Sequence, residues 1–565
     1  MTVPDLGILL IVLPLTGALL TFLVCKHAHW IGAGVALAVN GVLAILITDL
    51  IASQQSHRYA LGDWGAPLGI ELYLDGLSAV MLMMSALTGL GVSLYAFAYF
   101  RLQPGGNDQS TAFWPLWLFL WTGLNALFLS ADIFNLYVTL ELIGLAAVAL
   151  TALAGSQAAL TSAMRYLLIS LLGSLCYLLG VALLYHTYAT VDLALLAGRI
   201  NAQPATQAAL ALMTVGLLLK SALFPLHFWL PPAHGSAAAP VSALLSALVV
   251  KASFYLLLRL WLELFHSIHS LMPDLLGWLG AAAILWGSLQ ALRQIRLKLL
   301  IAYSTVAQLG YFFLVFPLAG GQSDEMLGSA WQGGLYMLFA HALAKSAMFL
   351  AAGNIQLFGG HDRILLLDRI AQRLPLTLAA FSLAGVSIMG LPPSGGFIGK
   401  WLLLEAAIAQ ERWGYAMVIL LGGLLAAAYV FKVIGHAFTQ VQTEDVTAEN
   451  RAVPALMQWS ALVLASGSIL LGCYPAFLLE WLAIGTLSKS CRPARDCAKL
   501  AATPGAADLA VIGARHFHPS GKQRAHTYHP EPVGCIQQGW TGRLDDLAYL
   551  PGAALSNPYP FSAQY

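Results

Sequence analysis

Charge is what this chain of 565 residues has least of. Only 9% of it is Asp, Glu, Lys or Arg, against roughly 25% in an ordinary soluble domain. The two signs nearly cancel, with 27 Lys+Arg and 26 Asp+Glu for a formal net charge of +1. A soluble globular enzyme, a disordered chain and a nucleic-acid binder held by a basic face are excluded. Cysteine is also scarce. The 6 cysteines form no Cys-x-x-Cys pair, so neither a zinc ribbon nor a cysteine-ligated cluster is indicated. No spacing of flavin, haem, cluster or metal ligands appears, and the expected cofactor set is none.

Apolar residues are abundant. They make up 59% of the chain, and the mean hydropathy is +0.76. The charges are uneven as well: 13 of them fall within 488–565. The chain therefore reads as a membrane body over 1–487 and a polar C-terminal tail over 488–565.

A helix crossing a bilayer core of about 30 Å needs around 20 apolar residues. That window finds fourteen segments, near 3–24, 30–52, 74–99, 112–129, 133–153, 162–186, 208–229, 239–263, 273–291, 299–318, 330–353, 374–410, 414–438 and 456–481. The twelfth is too long for one span and is interrupted by Pro392-Pro393 and Gly395-Gly396, so a broken helix is expected there. The apolar runs are continuous, whereas barrel strands alternate every second residue. The fold class is all-α and polytopic. The first segment is not read as a signal peptide, because the charge before its apolar run is Asp5 and no small-x-small cleavage site follows.

Loop charges predict the orientation. Loops after odd-numbered segments hold Lys26, Arg101, Arg165, Arg293, Arg296, Lys298, Arg363, Arg369, Arg373 and Arg451; those after even-numbered segments hold Arg58, Arg199 and Arg412. The odd loops are then cytoplasmic and both termini extracytoplasmic, in a prokaryotic inner membrane.

A few ionisable residues lie inside the apolar segments: Glu141, Lys220, Lys251, His341, Lys345, Lys400 and Lys432. Each charged residue at a span centre costs roughly 2.5–3.5 kcal/mol on insertion scales. Five left unpaired would cost about 12–17 kcal/mol, comparable with the whole stability of a protein. They must face the interior and find partners or water. Lys220 is too deep for its stem to lift the ammonium to the interface. Lys432, four residues before His436 near a helix end, fits such snorkelling. Lys220 also precedes a break at Pro225 in "LLLKSALFPLHFWLPP", and Lys400 follows one in "GLPPSGGFIGKWLLLE". A lysine beside carbonyls freed by a broken helix is the half-helix arrangement of transporters. The two breaks are five segments apart, an odd offset that reverses the crossing direction. Two inverted five-helix repeats are therefore expected, over about 112–265 and 273–438, with discontinuous seventh and twelfth helices.

The lysine in the second break also resembles a P-loop, but Ser394 and Trp401 stand where that motif needs Gly and Ser/Thr. Glu141, mid-span, suits a partner of a buried lysine. His341 and Lys345 are four residues apart and share a helix face. His227 and His234, around "FPLHFWLPPAH", are candidate access or gating groups. A lysine amine in an apolar interior binds its proton less tightly. The expected chemistry is a proton relay through Lys, His and water, with Glu141 as a movable counter-charge, and no covalent or redox step in this chain.

"DIFNLYVTLELI", "LKSALFPLHFWLPPAH", "APVSALLSALVVKASFYLLLR", "LLIAYSTVAQLGYFF", "HALAKSAMFLAAGN" and "GLPPSGGFIGKW" together resemble the proton-conducting antiporter-like membrane subunits of respiratory complex I, membrane-bound hydrogenases and Mrp-type sodium/proton antiporters. The resemblance covers about 130–405. It implies a pair of Glu141 with Lys220, a connecting role for Lys251, relay roles for His341 and Lys345, and a terminal role for Lys400. "YALGDWGAPLGIELYLDGLSAVMLMM" and "FNLYVTLELI" look most like the D-type member of Mrp antiporters. The expected function is that of a proton-translocating subunit in a multisubunit membrane complex, most like a monovalent cation/proton antiporter subunit. The alternatives are a pumping subunit of a complex I-like NADH-quinone oxidoreductase or hydrogenase, and a proton-coupled partner in inorganic carbon uptake. The implied partners are other membrane subunits, protons and the bilayer, with Na⁺ open and nucleic acid excluded. The family's largest member continues into a lateral helix. Residues 488–565 depart from that and read as a poorly ordered tail or docking arm, in which Cys491, Cys497 and Cys535 offer a disulfide if they lie outside.

Overall fold

The computed structural model describes residues 3–66, 69–102, 106–265, 268, 271–319, 324–440, 451–482 and 484. The tail over 488–565, with its cysteines and histidines, lies outside the described residues.

Among the described residues, twelve helices are long and apolar enough to cross a membrane, and two interrupted ones join them. The unbroken ones fall on the expected segments, from Val3–Leu23 and Ala28–Ser53 to Trp413–Phe438 and Ala455–Cys473. The seventh span is Pro204–Ser221 followed, after a turn, by Leu230–Ser236. Its first half stops where Ala222 takes a left-handed φ of 55°, and its second half opens on Pro231 and Pro232, which need no helical donor. The twelfth span is Pro375–Met389 followed by Gly395–Ala409. Gly390 ends its first half at φ 81°, and the Ser394 hydroxyl caps the second by accepting from the Phe397 N–H.

The eighth span (Ala239–Phe265) and the eleventh (Asp324–Gly359) form the interior, with the tenth (Leu297–Leu318) beside them. Helices at the rim expose apolar rows instead. Leu168, Leu171, Leu175 and Leu179 line one side of the sixth span, Gln157–Tyr188. Such a face suits lipid, where burial of apolar surface no longer distinguishes inside from outside.

Small residues then decide how closely helices approach. A Cβ on Gly216 would meet the Gly173 carbonyl at 2.3 Å, and one on Gly173 would meet the Gly216 carbonyl at 2.8 Å. This glycine contact closes the sixth span on the first half of the seventh.

A two-stranded antiparallel hairpin, β1 (His57–Ala60) and β2 (Glu71–Leu74), covers one end of the bundle. It packs on the start of the fifth span, Ile133–Ala152, where the Ala131 N–H donates to the Glu71 carbonyl. Beneath it, Asp75 (1% exposed) caps the third span, Gly76–Tyr99, and takes both ends of a fork from Arg259 at 2.6 and 2.9 Å.

Two loop charges are placed differently from expectation. Arg165 lies within the sixth helix, and Lys298 lies in the first turn of the tenth, where it is 3% exposed. Arg165 falls inside the sixth apolar segment itself and so belongs to the helix rather than to the loop before it. The tenth helix begins at Leu297, just ahead of its apolar window, and so takes in Lys298.

Candidate functional site

Lys220 stands in the last turn before the seventh-span break. Its Nζ donates to Glu141 Oε1 at 3.2 Å and to Ser170 Oγ at 2.9 Å. It is buried and does not snorkel. Nor does it turn to carbonyls freed by its own break, as the sequence suggested. The Leu219 carbonyl is taken by the Trp229 indole at 3.0 Å, and Trp229 stacks on Tyr166. The break is closed by an aromatic clasp, which leaves the ammonium free to reach across to the fifth and sixth spans.

The half-helix arrangement occurs at Lys400. Its Nζ donates to the Ile388 and Met389 carbonyls, at 2.8 and 3.2 Å, where the first half of the twelfth span ends. Its charge also sits 4.5 Å from the centre of the Tyr311 ring.

Lys251 is fully buried. Just before it, residues Leu245–Val249 are π-helical, and Lys251 Nζ donates to the Ser246 and Ala247 carbonyls there, at 3.1 and 2.9 Å. A π-bulge loosens the regular carbonyl ladder, and such bulges recur at functional sites. Lys345 donates to the Ile301 carbonyl at 3.1 Å and to Ser304 Oγ. His341 lies one turn away, edge-on to Phe312, with no hydrogen-bond partner on either ring nitrogen among the described residues. Lys251, Lys345 and Lys400 all lie within electrostatic reach of His341.

The structure therefore gathers the six residues into two groups. Glu141 and Lys220 form an ion pair. Lys251, His341, Lys345 and Lys400 form a second cluster, and among the described residues no carboxylate bonds any of its lysines. Carbonyls and hydroxyls hold those amines instead. A neutral amine still donates to such acceptors, so a proton can leave without breaking an ion pair.

His234 is fully buried, stacks on Phe349 and lies within electrostatic reach of Lys298 and Lys345. Lys298 itself donates to the Ala237 carbonyl. His227 lies in the seventh-span break, half-buried against Phe224. Lys432 donates to the Leu292 and Gln294 carbonyls at 2.8 Å each, which caps the end of the ninth span, Met272–Arg293.

The chain has relatives among known proteins. Residues 130–440 match the sequence profile described as NADH:quinone oxidoreductase/Mrp antiporter, TM. The chain belongs to this family. The N-type subunit of NADH-quinone oxidoreductase from Desulforudis audaxviator is 35% identical over 83% of this chain and 96% of its own. The D-type subunit of a Na(+)/H(+) antiporter from Bacillus subtilis is 28% identical over 81% and 92%. Among solved structures, a chain of the Mrp complex from Dietzia sp. superposes with a TM-score of 0.76 at 25% identity, over 85% of this chain and 96% of that one. A chain of the membrane-bound sulfane sulfur reductase, an archaeal respiratory membrane complex, gives 0.77 at 26%, over 85% and 96%. The chain is an integral membrane protein of the NADH:quinone oxidoreductase/Mrp antiporter family.

Sequence reading missed the neutral residues of this candidate site. Ser170, Ser304 and Tyr311 carry no charge to mark them, and serine is common in apolar helices. Spacing held a clue, since Ser304, Gln308 and Tyr311 recur every three or four residues and are all buried. It missed Lys298 as well, which looked like a loop residue.

Gly216→Ala tests how the ion pair is positioned. The added Cβ must part the sixth and seventh spans, and overpacking of this kind costs about 1–3 kcal/mol. A lower melting temperature in detergent and slower proton flux are expected together. Unchanged values for both mean that the glycine contact does not set the Lys220 position.

Proposed function

We propose that this chain is a proton-translocating subunit of a multisubunit membrane complex, moving protons through Glu141, Lys220, Lys251, His341, Lys345 and Lys400. The observation that carries the reading is the second buried cluster. Three lysines are held in the bundle interior by neutral acceptors, and His341, within electrostatic reach of all three, makes no hydrogen bond among the described residues. Uncompensated amines are a poor structural device at such depth. As proton carriers they have a use.

A backbone bridge that recurs five spans apart, as two inverted repeats would place it, supports the same reading. The Ile133 N–H donates to the Val191 carbonyl and the Leu193 N–H to the Ala131 carbonyl, a bridge between Asp132 and Asp192. Five spans later the Leu297 N–H donates to the Asp362 carbonyl and the Ile364 N–H to the Ile295 carbonyl, a bridge between Arg296 and Arg363. The same backbone device thus precedes both broken helices. Charge differs between the two places, with carboxylates at one and guanidiniums at the other. Under the positive-inside rule the arginine end is cytoplasmic, which puts both termini outside a prokaryotic inner membrane. His234 and Lys298 then guard the cytoplasmic approach to Lys345.

Two readings of the driving reaction have support. The relatives include a cation/proton antiporter subunit and a quinone-linked oxidoreductase subunit. The second gains from the higher identity of the oxidoreductase relative. Purification of the tagged chain from its native membrane distinguishes them. Small antiporter subunits, with Na⁺-dependent collapse of a pH gradient in vesicles, support an antiporter. Quinone-module or hydrogenase subunits, with proton uptake driven by an electron donor, support a pump. A monomeric chain whose loss alters neither flux overturns both.

A further inference from the structure

A row of hydroxyls leads from Glu141 and Lys220 toward the hairpin end of the bundle. Ser170, Ser174 and Tyr177 recur at spacings of four and three along the sixth span, so they share a face. All three are buried. The row runs along the fifth span. At its inner end a Cβ on Gly144 would meet Ser170 Oγ at 2.7 Å, and Ser170 accepts from Lys220. At its outer end the Tyr177 hydroxyl donates to the Ile133 carbonyl at 3.2 Å. Ile133 follows Asp132, whose charge lies within reach of Tyr177.

Two polar groups in this row are unsatisfied. Ser174 Oγ, between Ser170 and Tyr177, has no hydrogen-bond partner among the described residues, and Asp132 Oδ2 accepts none. Buried polar atoms rarely stay unpaired, and bound water is the usual remedy. Asp132 Oδ1 is already used to cap the fifth span through the Asn135 N–H, which leaves Oδ2 as the free acceptor.

We propose that Asp132, Tyr177, Ser174 and Ser170 form a water-assisted proton lane joining the hairpin face to Glu141 and Lys220, with Asp132 as its outer proton-binding group. The lane rests on the relay reading of Glu141 and Lys220, and it gives that pair its own access to one face. The chemistry is proton binding and hopping only. A proton on Oδ2 turns that oxygen into a donor, and the hydroxyls relay it by donating one proton while accepting another. The outer group has suitable surroundings. Burial, with Asp192 alongside, holds the Asp132 carboxyl above its ordinary range, against the backbone N–H groups of Asn135 and Phe134 that lower it. Asp192 is itself engaged by Arg58 of β1 at 3.4 Å, and Arg58 also binds Glu71 of β2. The charged and titratable groups around Asp132 are thus Asp192, Arg58, Glu71 and Tyr177. A lone cation faces a competing guanidinium there, whereas a proton does not need to displace it.

The test uses the intact complex in sealed membrane vesicles. Ser174→Val and Asp132→Asn are each expected to slow proton flux about tenfold, the kinetic equivalent of losing one buried hydrogen bond. Lys220→Arg is measured beside them. Wild-type flux in both lane variants, with Lys220→Arg inactive, overturns the lane and leaves the relay standing. Wild-type flux in Lys220→Arg overturns the relay, and the lane with it. A readout independent of flux is Ser174→Cys as the only thiol of an otherwise cysteine-free chain. A small cationic methanethiosulfonate is expected to modify it from the hairpin side alone. Lack of modification from that side, with a separate single-cysteine variant on the hairpin labelled under the same conditions, also overturns the lane.

Discussion

Lys220→Ala in the assembled complex is expected to lower proton flux by about two orders of magnitude or more, the scale of a positioned proton-transfer group. The subunit should still insert and assemble. The alanine leaves Glu141 facing Ser170 without a cation, so a loss of stability is expected too, and flux alone does not separate the two effects. Lys220→Arg does. Guanidinium keeps the charge and the carboxylate partner but does not release its proton at physiological pH. A structural role for Lys220 predicts recovery in the arginine variant, whereas a relay role predicts that it stays as inactive as alanine. Glu141→Gln completes the set. Glutamine still accepts a hydrogen bond from Lys220 Nζ but supplies no counter-charge, and a partial loss of flux with normal assembly is expected. Normal pumping by Glu141→Gln reduces the carboxylate to a structural group.

The largest expected effect on stability lies elsewhere, at Arg259. This residue is 3% exposed and holds Asp75 by its fork, Glu263 at 2.8 Å and Ser78 Oγ at 2.9 Å. Arg259→Ala strands the Asp75 carboxylate in the interior. Breaking one side of a buried pair costs about 3–5 kcal/mol, a large part of a typical 5–15 kcal/mol. A double replacement by apolar residues, Asp75→Leu with Arg259→Met, is expected to cost less than Arg259→Ala alone, because the one carboxylate left without its cation, Glu263, is partly exposed to solvent. Thermal melts in detergent measure all three.

The pH dependence follows with a definite sign. Burial raises the Asp75 carboxyl, but the Arg259 guanidinium and the Ser78 N–H outweigh it, and the group is held below its ordinary value of 3.8. A depressed carboxyl contributes stability that is complete above the unfolded-state value and fades as pH falls through the folded one. The gap in melting temperature between wild type and Asp75→Asn should be constant above about pH 5 and shrink below about pH 4. A constant gap down to pH 3 means that the Asp75 charge is not what stabilises the contact.

Much of this architecture was legible beforehand because lipid imposes simple rules. The helical class and the two breaks follow from apolar length and from proline and glycine placement. The burial of Lys220, Lys251, Lys345 and Lys400 was legible for the same reason, since an ionisable residue in a 20-residue apolar run has few places to go. What misled was local. Lys298 looked like a loop charge because the window of high hydropathy starts after it, yet the helix starts before it. Lys220 looked like a ligand of its own broken helix, and Trp229 occupies that carbonyl instead.

The sequence by itself determined that this is a polytopic helical membrane protein with buried amines, because the energy of placing charge in hydrocarbon depends on depth, and depth is written in sequence spacing. Only the tertiary structure decided which residues meet. Glu141 and Lys220 are 79 positions apart, Arg259 and Asp75 are 184 apart, and neutral groups such as Ser170 and Ser304 gain their role from the lysine that reaches them. Partnership of this kind depends on how closely helices pack, as at Gly173 and Gly216, and helix contact leaves almost no trace in a one-dimensional pattern of apolar residues.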